Sequence, residues 1–311
     1  MTDIFQGNYQ GCYLGAFISP KLPEKQQYFA SVAEMTSFNQ LLGKNISVYV
    51  TYLSWEKDGK LSEFPIHWCN EVNAAGAIPH LTWEPWDFER SSTKYTLDKI
   101  AIGKYDEYLV SFAQDIKTYG KPLFLRWAQE MNGFWYPWDG THNFNDPSRY
   151  VAAFRHIRSL FDQEGAHNVT WVWSPEVTGD LAMDNPMYDY HNYYPGNDYV
   201  DWIAIDGLNF GPTQNAASEW RSFGDLFGET YNDLNSSYPK KPIMIGSMGT
   251  AELGGNKAEW VIDAFQTIKS MNKIKIVTLF NIDKEANWMV NSSTESLTAF
   301  NQSIKDSYFL S

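Results

Sequence analysis

Residues 97–127 read LDKIAIGKYDEYLVSFAQDIKTYGKPLFLRW, and they hold one full period of the pattern that decides the fold. Apolar residues recur at helical spacing as far as Tyr119, and Gly120 follows as a helix stop signal. Residues 122–127 then form a short, nearly unbroken apolar run, the mark of a strand covered on both faces. Runs of this kind recur at 12–19, 46–55, 77–83, 122–127, 168–174, 201–207, 242–247 and 274–281, eight in all. Helical patterns stand between them at 26–43, 97–120, 146–165 and 256–271, the third opening on Asp146-Pro147, a cap residue followed by proline. Residues 182–197 read as a long loop with a short helix. Eightfold alternation predicts one (β/α)8 TIM barrel over residues 1–311, with its active site at the C-terminal ends of the strands. A doubly wound sheet is the alternative, but no Gly-x-Gly-x-x-Gly follows the first run and no phosphate-loop motif occurs.

Composition narrows the partner. The chain has 311 residues and a net charge of −13, spread without long like-charge runs, so a nucleic acid is excluded as partner. Aromatic residues make up 16%, with 13 Trp, 19 Tyr and 19 Phe. Tryptophan is amphipathic and rarely fully buried, so this excess suggests flat platforms for sugar rings as well as a large core. No run approaches membrane-spanning length, and a monomer is expected. The start, MTDIFQGNYQ, has no basic-then-apolar leader pattern, which leaves a cytoplasmic protein or one whose leader has been replaced. Cys12 and Cys69 could pair or stay free. No His or Cys pair has ligand spacing, so no metal and no cofactor is expected.

Strand ends supply the candidate chemistry. The third run ends on His80, Trp83, Glu84 and Trp86, and the fourth on Arg126, Gln129, Glu130, Asn132, Trp135, Tyr136 and Trp138. Glu130 is the leading candidate, because a glutamate among tryptophans has its pKa raised by desolvation and suits a general acid. The plain alternative is a rim carboxylate paired with Arg126. Trp83, Trp135, Trp138, Trp173 and Trp288 are candidate sugar platforms, with core packing as the alternative for each. Asn132 and Asn209 are candidate ligands of sugar hydroxyls, with turn chemistry as the alternative. Arg126 is expected to orient a carboxylate, and His80 reads as a satisfied rim histidine. Glu84 and Glu176 are possible sugar ligands or salt-bridge members.

The segment LRWAQEMNGFWYPW (125–138) resembles the acid/base segment of glycoside hydrolase family 26, and KPIMIGSMGTAE (241–252) resembles its nucleophile segment. VTWVWSPE (169–176) and YPGNDYVDWIAIDGLNF (194–210) also resemble that family. The resemblance implies a (β/α)8 barrel and retaining endo-hydrolysis of a β-linked polysaccharide, with Glu130 as acid/base and position 247 as nucleophile. It points to a secreted enzyme, because polymers of this size are met outside cells. Ser247 stands where the family has glutamate. Gln129 replaces a histidine and Trp127 a proline common among mannanases, which favours mixed-linkage β-glucan over β-mannan or β-1,3-xylan. Leu208 stands where a tyrosine touching the nucleophile is expected. Retention needs two carboxylates, and a serine with no nearby base cannot replace one. Three readings stay open: a nucleophile-substituted, near-dead or glycosynthase-like variant; a natural polysaccharide-binding barrel; or Glu252 as the nucleophile. The last is disfavoured because GTAELGG reads as a loop.

Overall fold

The computed structural model describes residues 2–19, 27–87, 94–178, 185–214 and 218–311. Eight parallel strands run β1 Cys12–Ile18, β2 Val48–Lys57, β3 Ile78–Asp87, β4 Leu123–Trp127, β5 Val169–Trp173, β6 Trp202–Asn209, β7 Ile243–Thr250 and β8 Ile274–Asn281. Each pairs with the next, and β1 pairs with both β8 and β2, which closes the barrel. The strands match the eight apolar runs, but β2, β3, β6 and β7 run further than the apolar pattern. Glu84 and Trp86 therefore lie within β3, and Ser247 lies three residues before the end of β7 rather than at its tip.

Helices α1 Val32–Leu42, α2 Ile66–Ala74, α3 Leu97–Ala101, α4 Asp106–Tyr119, α5 Ser148–Glu164, α6 Phe223–Ser237, α7 Lys257–Ser270 and α8 Thr294–Ser303 cover the barrel. Local chemistry sets their ends. Ser31 and Glu34 form a reciprocal capping box on α1, and Gly43 ends it in the left-handed conformation at φ 64°. The pattern over 97–120 is two helices rather than one, broken at Gly103 with φ 81°. Between β5 and β6 the described residues hold a short 3-10 turn, Tyr190–Tyr193. Residues 182–184 of the expected loop and residue 26 of the first expected helix lie outside the described residues.

Alternation along the strands sorts the core into two layers. Val48, Ile78, Phe124, Val172, Trp202, Ala204, Met244 and Ile276 fill the barrel's lower interior, and Ile4 from the N-terminal turn plugs it. Residues one step out of phase pack outward against the helices, among them Trp83, Trp127, Trp171 and Trp173. Both cysteines are buried and free. No helix of the described residues is long and apolar enough to cross a membrane.

Candidate active site

Above the apolar plug the barrel interior turns polar. Arg126 on β4 is fully buried, and each guanidinium nitrogen has a partner. Its Nε donates to Thr82 Oγ1 at 3.0 Å, Nη1 to Asp206 Oδ1 at 2.6 Å and Nη2 to the Tyr52 hydroxyl at 3.2 Å. A buried charge survives only when paired in this way. Gly246 on β7 belongs to the same construction, because a Cβ there would sit 2.6 Å from Arg126 Nη1 and 2.7 Å from Asp206 Oδ1. The register slips at this point: Ile205 pairs with Ile245, then Asp206 with Ser247. This bulge turns Gly246 and Ser247 inward in succession. Ser247 Oγ then lies 3.3 Å from the Tyr52 hydroxyl, so position 247 joins the chain Asp206–Arg126–Tyr52. Tyr52 is held up to about 12 by burial, against the opposing pull of Arg126.

Glu130 is presented by a strained turn. Ala128 and Glu130 have φ of 50° and 56°, left-handed values that cost energy in residues with a Cβ. The turn is braced by Glu130 N donating to Ser174 O at 2.7 Å and Ala128 N to Trp83 O at 3.2 Å. Ser174 Oγ in turn donates to Asp206 Oδ2. Desolvation first, and then the negative charge of Asp206, raise the Glu130 carboxyl to about 8, with Glu84 adding to the rise. The Trp135 indole, donating to Oε2 at 2.8 Å, and Arg126 oppose it. A carboxyl in this state holds its proton at neutral pH and can deliver it to a leaving oxygen.

A second carboxylate lies on the neighbouring strand. Glu84 Oε1 accepts from Gln129 Nε2 at 2.8 Å, and Oε2 from Trp86 Nε1 at 3.2 Å. Trp138 Nε1 donates to the Gln129 carbonyl at 2.7 Å, and the Tyr136 ring stacks on Trp138 at 4.4 Å.

The structure places Glu130, Trp135 and Ser247 at the barrel mouth; the expected sugar contacts Arg126 and Gln129 are instead fully buried, Arg126 on Thr82, Asp206 and Tyr52 and Gln129 on Glu84, and other expected contacts are likewise drawn into the protein. Trp83 and Trp173 point outward into the helix layer, Trp83 stacked on Phe112 at 4.3 Å, because they are out of phase with the inward residues. Trp138 is buried as a support for Gln129. Trp288 is packed edge-on against Phe210 and over Gly249 rather than exposed. Asn132 exchanges two hydrogen bonds with the Glu176 main chain, and Asn209 is held by Thr250 Oγ1 and Arg221 N, so both amides tie loops together. His80 is buried beneath Arg126 and pushed well below its ordinary value; neither ring nitrogen has a hydrogen-bond partner among the described residues. It is therefore not a satisfied rim histidine. Glu252 accepts from Ser292 and Ser296 near the start of α8, which ties down a loop. Tyr52 and Asp206 are the residues sequence reasoning missed. Period-2 counting from Val48 would have turned Tyr52 inward, and the same count from Trp202 reaches Asp206.

An eightfold parallel barrel with a desolvated glutamate among aromatic rings at its mouth is the arrangement of a barrel enzyme whose site lies at the strand ends. Residues 39–230 match the model of glycosyl hydrolase family 26, and the chain belongs to that family. It is 37% identical over 302 residues to endoglucanase H of Acetivibrio thermocellus, covering 96% of this chain and 31% of that protein. It is 29% identical over 170 residues to a mannan endo-1,4-beta-mannosidase of Bacillus subtilis, covering 51% of this chain and 43% of that one. The chain thus matches about a third of the first of these relatives and less than half of the second. The solved GH26A of Muricauda sp. MAR_2010_75 superposes with a TM-score of 0.66 at 17% identity, over 99% of this chain and 94% of that one. The chain is thus a glycoside hydrolase unit of family 26, a family whose similar members include an endoglucanase and mannan endo-1,4-beta-mannosidases.

Proposed function

We propose that the barrel is built for retaining endo-hydrolysis of mixed-linkage β-1,3-1,4-glucan, and that Ser247 leaves this chain nearly unable to complete it. The observation that carries the reading is the setting of position 247. A side chain there faces the interior beside a tyrosine hydroxyl that is hydrogen-bonded to a buried arginine. A carboxylate placed there would be oriented and kept ionised by those donors. It would attack the anomeric carbon while Glu130 protonates the departing oxygen, and Glu130 would then deprotonate the water that frees the sugar. Serine has no charge and no adjacent base, so the first bond does not form. Glucan is favoured over mannan because the similarity to endoglucanase H runs nearly the full chain, whereas the mannosidase match covers about half. Gln129 supports the same choice. We assign the site to one catalytic unit acting as a monomer outside the cell.

The serine suggests a direct test. An α-configured cellobiosyl or laminaribiosyl fluoride mimics the glycosyl-enzyme, and the small hydroxyl leaves room for the fluorine. The chain, supplied with such a donor and an acceptor glucoside, should release fluoride and build longer oligosaccharides. Glu130→Ala should abolish the synthesis. Binding of glucan without any fluoride release would instead favour a natural binding barrel.

A further inference from the structure

The loop that begins with Glu130 continues to α5 and carries a second feature that the proposed chemistry does not use. Phe144 is 80% exposed, yet its backbone is left-handed at φ 60°, and Asn145 follows at φ 55°. Asparagine tolerates this conformation; phenylalanine does not, and an exposed ring recovers no burial energy in return. The loop is not slack. Buried Asp139 accepts from Tyr136 N and His142 N, both at 3.0 Å, and Asn143 Nδ2 donates to Pro137 O at 2.9 Å and Asp139 O at 2.7 Å. The ring itself is backed on one face by the Arg149 guanidinium, 4.5 Å from its centroid. Arg149 is held in turn by Asp98 of α3 and by Asp146 at 3.4 Å. α3 follows β3 and α5 follows β4, so this support bridges two neighbouring connections on the mouth side of the barrel. The Arg149 contact covers one face only and leaves the other face of the ring in solvent.

We infer that Phe144 is a polysaccharide-stacking platform on the rim, outside the cleft, which holds a neutral β-linked glucan chain by the apolar face of one sugar ring. The inference rests on the glycanase reading above and extends it. Three observations select this occupant. The open face of the ring is flat and apolar, as a pyranose face requires. The chain's net charge of −13 discourages polyanions. The ring is also continuous, through one loop, with Glu130 and with the exposed Phe134 and Trp135 at 58% and 42%. A polymer engaged at the mouth is thereby caught a second time, which raises affinity for long chains only.

The test compares the chain as it stands with Phe144→Gly and Phe144→Tyr. Binding is measured to barley β-glucan and to a tetrasaccharide of the same linkage, together with thermal melting. Phe144→Gly should weaken polymer binding on the order of fivefold, the size of one aromatic contact, and leave tetrasaccharide binding unchanged. It should also raise the melting temperature, since glycine relieves the left-handed strain. Phe144→Tyr should bind polymer as the parent does. Equal polymer binding by parent and Phe144→Gly overturns the platform, and so does a parallel loss of tetrasaccharide binding. If the parent binds neither ligand, the glucan reading itself is wrong.

Discussion

Replacing Glu130 with glutamine should make the protein more stable at high pH and leave it unchanged at low pH. The folded barrel raises this carboxyl from the ordinary 4.5 to about 8, chiefly through desolvation and the charge on Asp206. Between those values the folded state keeps a proton that the unfolded chain has released. Stability is therefore fully present below about pH 4.5 and is lost as pH rises through about 8. The gap of about 3.5 pH units corresponds to roughly 5 kcal/mol, and the carboxyl's partial opening to the mouth reduces the expected loss to roughly 3 kcal/mol. Glutamine keeps an oxygen for the Trp135 indole but never ionises. The difference in unfolding free energy between Glu130→Gln and the parent should open from under about 1 kcal/mol at pH 5 to about 3 kcal/mol at pH 9. Urea unfolding followed by near-ultraviolet circular dichroism at the two pH values measures it directly. Titrating groups that do not interact with Glu130 are common to both proteins and cancel, so the difference reports Glu130 together with its coupling to Asp206 and Glu84. A difference that stays constant with pH would refute the claim that Glu130 holds its proton at neutrality.

Two tryptophans should behave oppositely. Trp83→Ala should cost about 3–5 kcal/mol of stability, because it empties a stacked position in the helix layer, and leave oligosaccharide affinity intact. Trp135→Ala should change stability by less than about 1 kcal/mol and weaken oligosaccharide binding roughly tenfold; calorimetric titration and chemical unfolding read both. In a Ser247→Glu background, Tyr52→Phe should lower kcat by roughly 10- to 100-fold with little change in KM, since the lost hydroxyl steadies the attacking carboxylate. Unchanged kcat would reduce Tyr52 to a packing residue.

The barrel was legible because its evidence is distributed: eight apolar strands and capped helices repeat one pattern, and no single misjudged boundary alters it. The misplaced boundaries lay where strands pass from core to mouth. There β3 and β7 continue through Glu84 and Ser247 with polar or small residues, and the apolar signal ends before the hydrogen bonding does. Glu130 was legible because its neighbours in sequence are its neighbours in space. Tyr52 and Asp206 were not, because they meet Arg126 only across the barrel interior, from strands far away in sequence. The tryptophans show the same limit. Aromatic content announced platforms, but which rings face the mouth depends on strand phase, and on that count Trp83 and Trp173 face the helices. The bulge at Gly246, which turns Ser247 inward, follows from a one-residue slip against β6 that no local pattern encodes.

The most direct measurement is reducing-sugar release by Ser247→Glu and by the chain as it stands, on barley β-glucan, lichenan, β-mannan, β-1,3-xylan and carboxymethylcellulose. The glutamate should raise hydrolysis of the mixed-linkage glucans by several orders of magnitude, and Glu130→Ala in the same background should remove the gain. A Ser247→Glu protein that binds one of these polymers but cleaves none would contradict the assignment of position 247 as the nucleophile site.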